Sequence, residues 1–146
     1  VAESSIVIDA SIALRWLLPD ALSAACWRLF EQTANTSARI HVPTLWIYEM
    51  ASGLSKAVFF KSISPDEARK SLTQVFTLGA EIVEATELLS QQAFGWTLRL
   101  NRATTYDSYY LAVAELAGCE FWTADRRLYN ACHTADLDWV HWVEEA

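Results

Sequence analysis

Ile6-Val7-Ile8 is an unbroken run of β-branched residues with no polar residue alternating through it. A strand with one face in water alternates and a strand covered on both faces does not, so this run predicts the central strand of a parallel sheet. Further strand-like runs lie at residues 39–42 and 120–124, and residues 139–143 could add an edge strand. Glu81-Ile82-Val83-Glu84 alternates as a strand does, though a connecting turn would also fit. Between these runs the apolar spacing turns helical, with one stripe at Leu22, Ala25, Cys26, Leu29 and Phe30 and another at Leu89, Ala93, Trp96 and Leu100. Strand and helix in alternation predict an α/β fold, a parallel sheet with helices on both faces.

The helix boundaries carry their own signals. Ser11 is placed to cap a helix over residues 12–18, which Pro19 ends by disfavouring helical geometry in the residue before it. Pro43 is expected to stop the second strand and to preset the first turn of a helix running to about Phe60. Ser64-Pro65-Asp66-Glu67 has the form of a capping box, and Gly79 closes the helix it starts. Asp107 begins a helix that stops at Gly118, and Asp125 caps a short one over residues 126–130.

With 146 residues and 53% hydrophobic content, one domain spanning 1–146 with an ample core is expected, and a disordered chain is excluded. Eleven basic against eighteen acidic residues give a net charge of -7, so any contact with nucleic acid needs a local basic patch. Cys26, Cys119 and Cys132 have no CxxC spacing, which indicates neither a disulfide framework nor a zinc site. No apolar stretch approaches membrane-spanning length and no signal-peptide pattern opens the sequence, so the expectation is a soluble, cytoplasmic protein without a membrane partner.

Four acids carry the chemistry: Asp9 closing Ile6-Val7-Ile8, Glu49 among Trp46, Ile47, Tyr48 and Met50, Asp107 after Thr104-Thr105-Tyr106, and Asp125 after Phe121-Trp122-Thr123-Ala124. Asp9 and Asp125 follow strands, where open α/β sheets bind ligands. Taken singly each has a plain alternative, a helix cap for Asp9 and Asp125 and a salt bridge for Glu49. Asp107 would share a helix face with Leu111 and Ala114 at the margin of the core, where a carboxylate needs a partner. Converging carboxylates would repel by roughly 3 kcal/mol per pair at ~5 Å and an effective dielectric of ~20, which a divalent cation relieves. Hard oxygen ligands select Mg²⁺ or Mn²⁺, and such a site suits hydrolysis of a phosphodiester. Ser11 and Thr123 lie near the acids with no histidine close in sequence to form a triad, so both hydroxyls are assigned to orienting a carboxylate or water.

Val7-Ile8-Asp9-Ala10-Ser11, Val42-Pro43 leading to Glu49, Tyr106-Asp107-Ser108-Tyr109-Tyr110-Leu111-Ala112 and Trp122-Thr123-Ala124-Asp125-Arg126-Arg127-Leu128 together resemble the PIN-domain family, and within it the VapC-type toxins. The resemblance implies a three-layer α/β/α sandwich on a mostly parallel sheet of four to five strands. It also implies an endoribonuclease whose Asp9, Glu49, Asp107 and Asp125 form a Mg²⁺ or Mn²⁺ site, a homodimer, and a cognate VapB-like antitoxin that inserts a basic side chain into the acidic pocket. Where many relatives have Asn in an Ala-Asn-x-Leu stretch this chain has Ala51-Ser52-Gly53-Leu54, a departure expected to act on helix packing or substrate fit.

Arg126 and Arg127 are the preferred pair to hold RNA phosphates, with Arg15, Lys56 and Lys61 as further candidates. Trp16, Trp46 and Trp122 could stack on bases, though core packing is the better default. Tyr106 and Tyr109 fit pocket lining and packing equally well. Scattered His41, His133 and His141 point to structural roles. Two other functions compete with the nuclease: a catalytically quiet module that uses the acidic pocket to bind a basic peptide, and a phosphoryl-transfer enzyme phosphorylated on Asp9. The latter would want a second acid beside Asp9 and a later lysine, where the chain has Ala10 and no Lys beyond Lys70.

Overall fold

The computed structural model describes residues 4–146. Five parallel strands, β1 (Ser5–Ile8), β2 (Arg39–Pro43), β3 (Glu81–Val83), β4 (Glu120–Thr123) and β5 (Val140–Trp142), form one sheet in the order β3-β2-β1-β4-β5. β1 is therefore central, as its unbroken apolar run requires, and the alternating Glu81-Ile82-Val83 is an edge strand.

The helices are α1 (Ala10–Leu17), α2 (Ser23–Asn35), α3 (Leu45–Phe59), α4 (Pro65–Thr77), α5 (Glu87–Arg99), α6 (Tyr106–Ala117) and α7 (Arg126–Thr134). α1 and α2 carry the chain from β1 to β2, and α3 and α4 carry it on to β3, both steps in one direction across the sheet. α5 and α6, then α7, lead the other way to β4 and β5. Right-handed crossovers put α1–α4 on one face and α5–α7 on the other, which makes three layers. The direction of travel reverses between β1 and β4. That crevice, at the carboxyl ends of the two strands, is where doubly wound sheets place their ligands.

Val7, Ile8, Val42 and Phe121 from the strands pack with Ile12, Met50, Leu111 and Val113 from the helices, all essentially without solvent contact. Each contributes on the order of 1.5–3 kcal/mol. Trp16 and Trp46 belong to this core, and the Trp16 indole donates to the Cys26 carbonyl at 2.9 Å. The Ser64–Glu67 capping box is formed in full, and Gly118 ends α6 at φ 63°, a left-handed conformation that glycine adopts without a steric cost.

Three local expectations are corrected. Asp9, not Ser11, caps α1, because the chain turns into the helix directly after β1 and the Asp9 carboxylate accepts from the Ile12 amide. Pro43 is the last residue of β2 rather than the first turn of α3. Thr44 donates across to Val83, so the position of Pro43 faces β1, whose pairing has already ended at His41; a residue without an amide hydrogen is tolerated there. α7 runs on past Asn130 to Thr134, because Leu128 and Cys132 bury a shared face. Among the described residues no helix is long and apolar enough to cross a membrane.

Candidate metal centre

The pairing of β1 with β4 fixes the first contact of the site. Ile8 lies opposite Trp122, so one step further Asp9 faces Thr123. The Thr123 hydroxyl donates to Asp9 Oδ2, and the Ser11 hydroxyl donates to Asp9 Oδ1. Ser11 Oγ in turn accepts from the Ala124 amide at 2.9 Å, and Thr123 Oγ1 accepts from the Asp125 amide at 3.0 Å. Two hydroxyls thus hold one carboxylate across the crevice while tying down the backbone that leads to the next acid. Asp125 caps α7 through the amides of Arg127 and Leu128.

The other two acids come from opposite layers. Glu49 lies one turn into α3, and its Oε1 accepts from the Tyr110 hydroxyl of α6 at 2.6 Å. Asp107 lies in the first turn of α6 and pairs with Arg102 at 3.0 Å, both side chains being mostly buried.

These carboxylates feel one another. Asp9, only 6% exposed, has its pKa pushed up to about 7 by burial; the Ser11 and Thr123 hydrogen bonds oppose the rise, and the charges of Asp107 and Glu49 add to it. Burial raises Glu49 against the pull of the Tyr110 hydroxyl, with Asp107 and Asp125 adding repulsion. Burial also raises Asp107; Arg102 opposes this and Asp125 reinforces it. All four acids therefore share one electrostatic neighbourhood at the switch between β1 and β4.

Among the described residues no three carboxylate, imidazole or thiol groups stand close enough to form a ready-made metal cage. The donor set still fits Mg²⁺ or Mn²⁺, which take hard oxygens; Mg²⁺ usually keeps several waters and uses only one or two carboxylates directly. The acids also leave the site short of positive charge, and among the described residues Arg102 supplies some of it at Asp107.

Of the basic residues considered from sequence, Arg15 is taken up by Asp20 at 2.8 Å. Arg126 lies over the Trp142 ring at 3.8 Å, and Arg127 is exposed on the same turn of α7. Tyr109 ties α6 to α5 through Ser90 at 2.8 Å, whereas Tyr106 is exposed. Each histidine has local partners: His41 with Ser5 and Glu81, His133 stacked on Tyr129, and His141 between Glu120 and Glu145. Reasoning from sequence missed Arg102 and Tyr110. Tyr110 was within reach, since three residues past Asp107 it shares that helix face. Arg102 sits in the loop before α6, where no periodicity marks it.

Residues 6–133 match the PIN domain family. Ribonuclease VapC9 of Mycobacterium tuberculosis is 32% identical over 123 residues, covering 84% of this chain and 87% of that protein. Ribonuclease VapC3 of Pyrobaculum aerophilum is 29% identical over 125 residues, covering 84% and 91%. Among solved structures, VapC20 of Mycobacterium tuberculosis, described as a Sarcin-Ricin loop cleaving toxin, superposes with a TM-score of 0.61 at 17% identity over 87% of this chain and 95% of that one. VapBC2 of Rickettsia felis, bound to a DNA fragment from its promoter, gives 0.64 at 12% identity over 94% and 95%. With its switch-point acids, its five-stranded parallel sheet and a family match over most of its length, this chain belongs to the PIN domain family, among the VapC-type members.

Proposed function

We propose that this protein is an endoribonuclease, the toxin of a toxin–antitoxin pair, and that Asp9, Glu49, Asp107 and Asp125 form its catalytic centre around Mg²⁺ or Mn²⁺. The observation that carries the reading is geometric: Thr123 and Ser11 hold the buried Asp9 carboxylate in the crevice between β1 and β4, Thr123 ties down the backbone of Asp125, and Tyr110, on the helix that carries Asp107, holds Glu49. When bound, a divalent cation supplies neutralisation of the phosphodiester charge and a more acidic water. The chain's own residues do the rest. Ser11 and Thr123 hold Asp9 in one orientation, Thr123 also fixes the backbone at Asp125, and Arg102 stands beside Asp107 as a cation within the site. Arg126 and Arg127, on the helix that Asp125 caps, are assigned to the phosphates flanking the cleaved bond.

The test is cleavage of structured RNA by purified protein, with Mg²⁺, with chelator, and with Asp9→Asn. Loss of cleavage in the last two supports the reading; cleavage by Asp9→Asn at the wild-type rate removes it. The partners belong to the same proposal: a VapB-like antitoxin that covers the acidic centre with a basic side chain, and a second copy of the chain in a homodimer, checked by sedimentation.

A second reading has one observation behind it. Asp107 already accepts a guanidinium, so the centre could serve only to bind a basic peptide, without catalysis. Calorimetry separates the two, because a pure peptide-binding module takes up no Mn²⁺.

A further inference from the structure

We propose that Tyr110 is a positioning residue of the acidic centre, its hydroxyl fixing the Glu49 carboxylate of α3 relative to Asp9 and Asp107. This rests on the metal-site reading above. Tyr110 is completely buried, and a buried phenol hydroxyl needs a partner. It donates to Glu49 Oε1 at 2.6 Å, within the range of a charge-assisted bond. The backbone of Ala10, next to Asp9, also acts electrostatically on the same hydroxyl. The ring stacks on Phe121 of β4 with centroids 5.8 Å apart and planes at 11°, so the hydroxyl is held from behind.

One side chain therefore bears on the elements that carry three of the acids. It stands on α6 with Asp107, bonds Glu49 on α3, and feels the backbone where β1 delivers Asp9. A free glutamate samples many rotamers, and ordering it costs binding free energy. Glu49 is ordered beforehand by a partner that lies outside the set of ligands, and such partners set metal affinity as well as orientation.

Tyr109 provides the control. Its hydroxyl also joins α6 to a neighbouring helix, but through Ser90 and away from the acids. Mn²⁺ affinity is measured by calorimetry, and RNA cleavage as kcat and KM, for wild type, Tyr110→Phe and Tyr109→Phe, with melting curves for each. Phenylalanine keeps the stack on Phe121. The expected result is a Tyr110→Phe protein that folds as wild type, binds Mn²⁺ about tenfold more weakly and loses kcat with little change in KM, while Tyr109→Phe keeps wild-type affinity. Mn²⁺ affinity and kcat unchanged in Tyr110→Phe overturn the proposal. A Tyr110→Phe protein that does not fold also overturns it, because the hydroxyl is then structural. Wild-type protein that binds no Mn²⁺ overturns the metal reading itself, and the role of Tyr110 falls with it.

Discussion

Thr123 and Asp9, 114 positions apart in sequence, are joined by a hydrogen bond of 2.5 Å across the crevice between β4 and β1. The bond follows from the parallel register, which sets the residue after Ile8 opposite the residue after Trp122. It makes the most buried acid of the centre depend on both strands at the reversal of the sheet. Asp9 is a helix cap and also an electrostatic liability, and the two roles respond differently to substitution.

Asp9→Asn is expected to stabilise the metal-free protein. The folded chain resists ionising Asp9 until about pH 7, whereas the unfolded chain ionises it near 3.8. Stability is therefore lost as pH rises between those values, and the full penalty, at most about 4 kcal/mol, is present above pH 7. The melting temperature of Asp9→Asn relative to wild type should climb from pH 4 to pH 7 and then level off. RNA cleavage should fall at least about a hundredfold, because a ligand is replaced by a neutral amide. A variant no more stable than wild type at pH 8 would contradict the burial argument.

Mn²⁺ affinity is expected to depend on pH over the same interval. A cation binds the ionised centre, so it must displace the proton held by Asp9 below about pH 7. Calorimetry at pH 5.5, 6.5 and 8 should show affinity rising by up to about tenfold per pH unit and flattening above 7, with protons released on binding at the lower values. Saturating metal at about a hundred times its dissociation constant should add about 2.7 kcal/mol to stability at pH 8. A pH-independent affinity would place the metal away from Asp9.

Arg102→Gln should tighten Mn²⁺ binding. The guanidinium and a divalent cation both neutralise Asp107, so removing one competitor favours the other. The expected gain is a few-fold in affinity, with about 1 kcal/mol lost from the metal-free protein, because both partners are partly screened by solvent. If Arg102 also contacts the scissile phosphate, KM for RNA rises in the same variant. Weaker Mn²⁺ binding would show instead that Arg102 supports the site from outside.

The sheet was legible in the sequence because apolar period reports burial, and burial separates a central strand such as Ile6-Val7-Ile8 from an alternating edge such as Glu81-Ile82-Val83. The acids stood out for a related reason: each interrupts or flanks an apolar run, where a lone charge is costly. The partners of those acids did not stand out. Thr123 meets Asp9 only through strand register, Tyr110 meets Glu49 only through the packing of α6 near α3, and Arg102 meets Asp107 only through a loop. Such contacts depend on strand order and helix placement, which local periodicity does not encode. Pro43 ends its strand as expected, but its local preference for a helix start yields to its place at the end of the ladder.

Gly53→Ala tests whether the close approach of α1 and α3 sets the spacing of Asp9 and Glu49. A Cβ at Gly53 would lie 2.5 and 2.6 Å from the Leu14 methyl carbons and 3.1 Å from its Cγ, so Leu14 must move or the helices must part. Alanine gains about 1 kcal/mol of helix propensity, while overpacking costs typically 1–3 kcal/mol. Leu14 is half-buried and its tip can swing, so a net loss of about 1 kcal/mol is expected, read as a lower melting temperature. Asp9 caps α1 and α3 carries Glu49, so parting the helices also separates two acids, and Mn²⁺ affinity should weaken along with stability. Adding Leu14→Ala to Gly53→Ala vacates the contested space and should restore affinity, although the lost leucine still costs core packing. Recovery of affinity without recovery of stability is the signature of spacing between the helices. If affinity never changes in either variant, the Gly53 contact serves packing alone.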